Sequence, residues 1–187
     1  MNKLALAIFI FGSIVGKAQV RLKANLAALP FAVVNVGEEL QLSPNYTLQA
    51  DAMLSPWWSF HGRPMLFGTA FVEGRYYLRS AFQGLYFGAH LGGGVLRATK
   101  WNYWNQAVYQ KGFIYMAGAV VGYQMDLTDR LGLDFFLGGG NLQGQYHSYY
   151  LDDGGRYKLD KAIGFNKSGE WLPYRGGIML TYKLKNL

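Results

Sequence analysis

The chain contains no cysteine, which excludes a disulfide framework, cysteine-ligated zinc and thiol catalysis. Its three histidines, His61, His90 and His147, lie far apart and form no HxH or HExxH spacing, so neither a metal site nor a cofactor is expected. After the first 18 residues, no apolar run approaches the roughly twenty residues a membrane-spanning helix needs, so any membrane crossing must be made by strands. Charged residues make up only 16% of the chain. They form no basic run and no recognition-helix pattern, so no nucleic-acid partner is expected despite a pI of 9.5.

Apolar and small residues are abundant: 51% of the chain is hydrophobic, 17% is aromatic, and 25 residues are glycine. The first residues combine a positive start (Asn2, Lys3), an apolar run from Leu4 to Val15, and Gly16-Lys17-Ala18 before Gln19. This reads as a secretory signal, residues 1–18, cleaved after Ala18 to leave one exported domain over residues 19–187. Without Lys3 and Lys17, 16 basic residues face 11 acidic ones, a balance of about +5.

The clearest local signal is the hairpin from Phe113 to His147. In its first arm Ala117, Ala119, Val121, Tyr123, Met125 and Leu127 share one face, while Gly118, Val120, Gly122, Gln124 and Asp126 share the other. After the turn Thr128-Asp129-Arg130, Leu131, Leu133, Phe135 and Leu137 alternate with Gly132, Asp134, Phe136 and Gly138. A period of two over arms this long predicts strands. The second face holds Gly, Asp and Gln, which suit a crowded interior, and the arms match the nine to eleven tilted residues that cross a bilayer.

Turn residues divide the chain into eight such arms: Val20 to Ala28, Phe31 to Leu42, Tyr46 to Leu54, Leu66 to Leu78, Gly84 to Arg97, Phe113 to Leu127, Leu131 to His147, and Tyr174 to Leu184. Short connections alternate with long ones, the longest running from Ser148 to Leu172, with one exception at Leu29-Pro30. An aromatic loop is expected over Ser55 to Met65. The expected fold is all-β: a closed, eight-stranded, antiparallel, up-and-down transmembrane barrel with short periplasmic turns and longer extracellular loops.

The face assignment also sorts the charges. Arg21, Lys23, Glu39, Asp51, Glu73, Arg75, Asp126, Asp134, Arg175 and Lys183 fall inside, five acidic and five basic, together with His90. Val34, Val36, Leu40, Leu48, Val72, Tyr76, Phe87, Leu91, Val121, Phe135, Leu180 and Tyr182 fall on the lipid side. Glu38 is the exception: either it sits near the membrane boundary, or a bulge shifts the local register. Buried charges are tolerated when paired, and eight strands enclose an interior that side chains fill. No open pore is expected.

Several short motifs occur in order along the chain: Leu22-Lys23-Ala24-Asn25-Leu26, Ser55-Pro56-Trp57, Val72-Glu73-Gly74-Arg75-Tyr76-Tyr77, Gly88-Ala89-His90, Gly122-Tyr123-Gln124 and Leu180-Thr181-Tyr182. In these the chain resembles the small barrel proteins of Bacteroidota grouped as domain-of-unknown-function family 3575 (DUF3575). The resemblance implies an OmpA-like outer-membrane barrel and brings no agreed activity. Arg175-x-Gly177-x-x-Leu180-x-Tyr182 resembles the signal that marks a last strand for barrel assembly, although Lys185-Asn186-Leu187 follow it and no terminal Phe is present.

The preferred function is a non-enzymatic outer-membrane protein that binds or anchors through its outer loops, surrounded by lipid and lipopolysaccharide. Trp57, Trp58, Trp101, Tyr103, Trp104 and Trp171 are the binding candidates; with Tyr149 and Tyr150 they also suit an interfacial girdle. Lys100 and Lys111 are placed to meet lipopolysaccharide phosphates. One alternative is a lipid A-modifying hydrolase using His147, Ser148 and Asp152 or Asp153. Adjacent strand residues point to opposite faces, however, so that pair requires the strand to end before it. A second alternative is a barrel subunit of a fimbrial or secretion assembly with an envelope protein partner. Gly92-Gly93-Gly94 and Gly138-Gly139-Gly140 lack a following helix or Lys-Ser/Thr, and read as packing room rather than phosphate loops.

Overall fold

The computed structural model describes residues 19–99, 107–157 and 170–184. Among these the chain forms β1 (Val20–Asn25), β2 (Val34–Gln41), β3 (Tyr46–Phe60), β4 (Arg63–Tyr77), β5 (Gly84–Ala98), β6 (Val108–Asp126), β7 (Leu131–Tyr150), β8 (Arg156–Tyr157) and β9 (Glu170–Lys183). From β1 to β7 each strand pairs antiparallel with the next. β7 then pairs with β9, and β9 returns to β1. The result is a closed, eight-stranded, up-and-down barrel, with β8 a two-residue ribbon on the end of β7. Among the described residues, closure pairs every strand of the barrel with a neighbour on each side.

The register fixes the barrel's shape. A hydrogen-bonded row leaving β7 at Leu131 passes through Tyr182, Leu22, Glu38, Ala50, Val72, Leu91 and Ala117 and returns to β7 at Asn141, ten residues further along. For eight strands about 4.8 Å apart, this stagger corresponds to a tilt of about 40° and a backbone radius of about 8 Å. Such a bore is filled by large side chains.

Several expected boundaries move. The aromatic stretch Ser55 to Met65 is not a loop: β3 continues to Phe60, β4 starts at Arg63, and His61-Gly62 turn the chain with positive φ at both residues. Pro56 does not break this extension because β2–β3 pairing ends at Val34 and Leu54. Beyond that point β3 has a free edge, where a missing N–H costs nothing. β6 starts at Val108 rather than Phe113, and β7 runs to Tyr150 rather than His147. β9 starts at Glu170 rather than Tyr174. The long connection expected over Ser148 to Leu172 is therefore strand at both ends. Between β1 and β2 the chain makes a single 3-10 turn, Leu29–Phe31.

The outer face is apolar. Val34, Val36, Val72, Tyr76, Phe87, Leu91, Val121, Phe135 and Tyr182 are exposed on it, while Leu40, Leu48 and Leu180 are half-buried. Glu38 also faces outward, and pairing runs unbroken through Leu22–Glu38 and Glu38–Ala50. The suggested bulge is thus absent, and Glu38 is a true exception on the apolar face.

Candidate functional site

The lumen is built in layers. At the turn end Phe82 folds back from the β4–β5 connection and is wholly buried, adopting a left-handed backbone (φ 67°) to do so. A non-glycine residue in that region is strained by about 1 kcal/mol or more, so tertiary packing holds it there. The Arg21 guanidinium lies 4.4 Å from the Phe82 ring centroid and pairs with Asp126. Tyr77 packs beside Tyr86 at 5.0 Å and near Phe82 at 6.3 Å. These aromatic rings close the turn end.

Above them lies the charge cluster. Lys23 pairs with Glu39 and, at 2.7 Å, with Asp134; Arg75 reaches Glu73 at 2.5 Å, Asp134 at 2.8 Å and Glu39 at 3.4 Å. All five side chains are fully removed from solvent. Hydroxyl donors satisfy further carboxylate oxygens: Tyr77 and Thr47 donate to Glu39, and Tyr86 donates to Asp134 at 2.8 Å. Asp51 and Arg175 pair at 2.7 Å, and Arg175 also meets Glu73 at 3.2 Å. This network joins β1, β2, β3, β4, β7 and β9, so closure and charge pairing depend on each other.

Two of the expected interior residues sit lower than the rest. Asp126 is exposed and Lys183 half-buried, both at the rim of the turn end beside Thr128 and Asp129. They line an opening rather than the sealed lumen because β6 and β9 end there.

Toward the loop end, His90 is buried and hydrogen-bonded through Nε2 to the Tyr174 hydroxyl at 2.8 Å. The Phe71 ring stacks on Tyr174 (centroids 6.1 Å apart, interplanar angle 14°) and covers the Arg175 guanidinium at 4.2 Å. Tyr174 and Arg175 are neighbours in sequence yet both enter the lumen. The cause is a register shift in β9 opposite Gly138 and Gly139, which adds one residue and re-aims the Tyr174 side chain. Strict alternation could not have placed Tyr174 inside; the signal in the sequence was Pro173 beside a glycine run, the usual company of a bulge.

The expected binding aromatics are dispersed. Trp58 and Trp171 point outward and are largely exposed, at 67% and 77%. Trp57 donates its indole N–H to the Phe31 carbonyl at 2.6 Å and so ties β3 to the β1–β2 connection. Trp101, Tyr103 and Trp104 lie outside the described residues. Because β7 continues to Tyr150, His147 is exposed on the outer face and Ser148 is buried inward. The two are not brought together. His147 Nδ1 instead meets Arg156 Nη2 at 2.9 Å, and Asp152 and Asp153 are held in the following turn.

No curated protein and no solved structure matches the chain. A family model described as "Protein of unknown function (DUF3575)" does match, over residues 4–184. With that match spanning almost the whole sequence, this closed eight-stranded barrel, its lumen packed with paired charges, belongs to the DUF3575 family.

Proposed function

We propose that the protein is an integral outer-membrane barrel without enzymatic activity and without an open pore, serving a structural or binding role through its loop end. The observation that carries this reading is the exposed apolar belt. Along β5 the outward residues Leu85, Phe87, Ala89, Leu91, Gly93 and Val95 are uninterrupted until Arg97. At about 2.5 Å of axial rise per residue for strands tilted about 40°, these ten steps span about 25 Å, the height of the apolar band on outer-membrane barrels. Exposed Tyr46, Tyr76, Tyr123 and Tyr182 border its lower edge, and Trp58, Tyr115 and Trp171 its upper edge. In water such a surface would drive aggregation; in a bilayer it is solvated.

Glu38 is compatible with this placement. It lies three strands along the row from Leu131, about 9 Å above the turn end for the same tilt. Its carboxylate is thus within reach of the boundary, where a charge costs about 0–1 kcal/mol. Just above the upper aromatics Arg97, Lys111 and His147 occupy one hydrogen-bonded row, extended by Arg156. The Arg97, Lys111 and Arg156 cations at that level suit the phosphates of lipopolysaccharide.

The test is refolding from urea into lipid vesicles and into buffer alone, followed by heat-modifiable migration and cell fractionation. Folding only with lipid, and recovery in the outer-membrane fraction, is expected. A folded, monomeric, lipid-free species in buffer refutes the reading. Lipid A mass spectra from cells with and without the protein are expected to be identical; a change in acylation would replace this reading with the hydrolase.

A further inference from the structure

Above the charge cluster the lumen changes character. Phe67, Phe71, Leu96, Ile114, Met116 and Leu142 line a cavity of about 220 Å³ in the loop half of the barrel. These side chains point inward just as Glu73 and Arg75 do, so the apolar lining is a property of depth rather than of one strand. A water-filled mouth would be lined by polar residues instead.

The room is maintained by missing side chains. A Cβ on inward-facing Gly92 would collide with the Phe71 ring, and one on Gly94 would lie 2.8 Å from the Thr69 methyl carbon. With glycine at both places, Phe71 and Thr69 lie back against β5 and the centre stays open. The floor is polar and fixed: His90 holds the hydroxyl of Tyr174, the residue the β9 bulge turns inward. Phe71 covers Arg175, so its charge does not face the cavity directly.

We propose that this well binds the hydrocarbon tail of a small amphiphile, a single linear alkyl chain of about eight carbons that enters from the loop end with its polar head left at the mouth. A cavity of about 150 Å³ lined by Leu, Ile and Phe takes up benzene, so this larger one holds roughly eight to ten non-hydrogen atoms. Its shape selects a chain over a ring. The lining runs from Phe71, paired with Gly92, up to Ala98, paired with Met65, a depth of about 15 Å at the same axial rise. Barrel mouths are recurrent small-molecule sites of this kind. Pairing from β4 through β7 is unbroken around the well, so that wall offers no sideways entry. The inference rests on the barrel alone and not on its lying in a bilayer.

The test uses the full barrel in lipid nanodiscs, labelled at methionine methyl groups and titrated with octanoate while methyl NMR spectra are recorded. Met53 and Met116, at the well, are expected to shift saturably; Met179, sealed within the lumen, and Met125, on the outer face, are not. Ala98→Trp should fill the mouth and weaken binding at least tenfold. Leu91→Trp, on the outer face, should leave the titration unchanged. Thr69→Phe narrows the same well from β4 and replaces Ala98→Trp should that variant not fold. Contacts from Met116 to the nanodisc lipid before octanoate is added identify a bilayer lipid as the source of the tail, and contacts only afterwards identify a free solute. Both outcomes support the site. No contact from either source, no saturable shift, or equal effects of the lumen and outer-face variants overturns it.

Discussion

Replacing Arg75 with methionine isolates the energetic role of the charge cluster. Its Nε donates to Glu73 at 2.5 Å, its Nη1 donates to Asp134 at 2.8 Å and to Glu39 at 3.4 Å, and its guanidinium carbon lies 4.4 Å from the Tyr86 ring centroid. With every carboxylate ionised, Lys23, Arg75 and Arg175 stand against Glu39, Asp51, Glu73 and Asp134, which leaves the buried cluster one negative charge in excess. Arg75→Met raises that excess to two where the side chains have no solvent exposure. Removing one partner of a buried pair costs about 3–5 kcal/mol, and burial leaves little for added salt to screen. Asp134→Asn instead brings the cluster to neutrality and keeps an acceptor for Lys23 and Arg75. Its expected cost is about 1–2 kcal/mol. The double variant restores the original excess, so it should cost about 1–3 kcal/mol less than the sum of the singles. Guanidinium unfolding from lipid vesicles, followed by tryptophan fluorescence, measures all three. The reasoning is refuted if Arg75→Met costs under about 1 kcal/mol, if it costs no more than Asp134→Asn, or if the two effects simply add.

Leu91→Arg, at mid-height on the outer face, should lower stability in vesicles by about 2–4 kcal/mol, and an unchanged unfolding midpoint would count against a lipid-facing belt. Gly92→Leu drives a side chain into Phe71 and should cost about 1–3 kcal/mol by overpacking, read as a lower unfolding midpoint in the same assay. Planar-bilayer recordings of the purified barrel should show no large stable conductance, because Phe82, Tyr77 and the ion pairs occupy the bore; steady open-channel currents from the monomer would contradict that packing. Deleting residues 151–169, which spares the strand ends at Tyr150 and Glu170, should leave a heat-modifiable barrel that has lost surface binding, and an unaltered binding profile argues against recognition by that connection.

Much of this architecture was legible in the residues themselves, because a strand has a period of two and each residue's face follows from its parity. Leu85 to Val95 and Leu131 to Leu137 declare an apolar side, and the same count sends Lys23, Glu39, Glu73, Arg75 and Asp134 to the other. Short turns such as Ser43-Pro44-Asn45 and Thr128-Asp129-Arg130 then dictate an up-and-down order. Parity is silent wherever alternation stops. Phe82 sits in a turn, and only the packing of Arg21 and Tyr77 shows that it folds inward. Tyr174 enters the lumen through a bulge that breaks the count, and Ser55 to Met65 reads as a loop until the free edge of β3 explains why Pro56 is tolerated within a strand. Nor does local patterning say which charges pair: Lys23 and Asp134 are 111 residues apart in the chain. Side-chain direction is local and is written in the sequence, whereas the stagger of ten residues around the closed barrel is a property of all eight strands together. That stagger alone decides which inward residues share a level, and so which charges meet and where the apolar well opens above them.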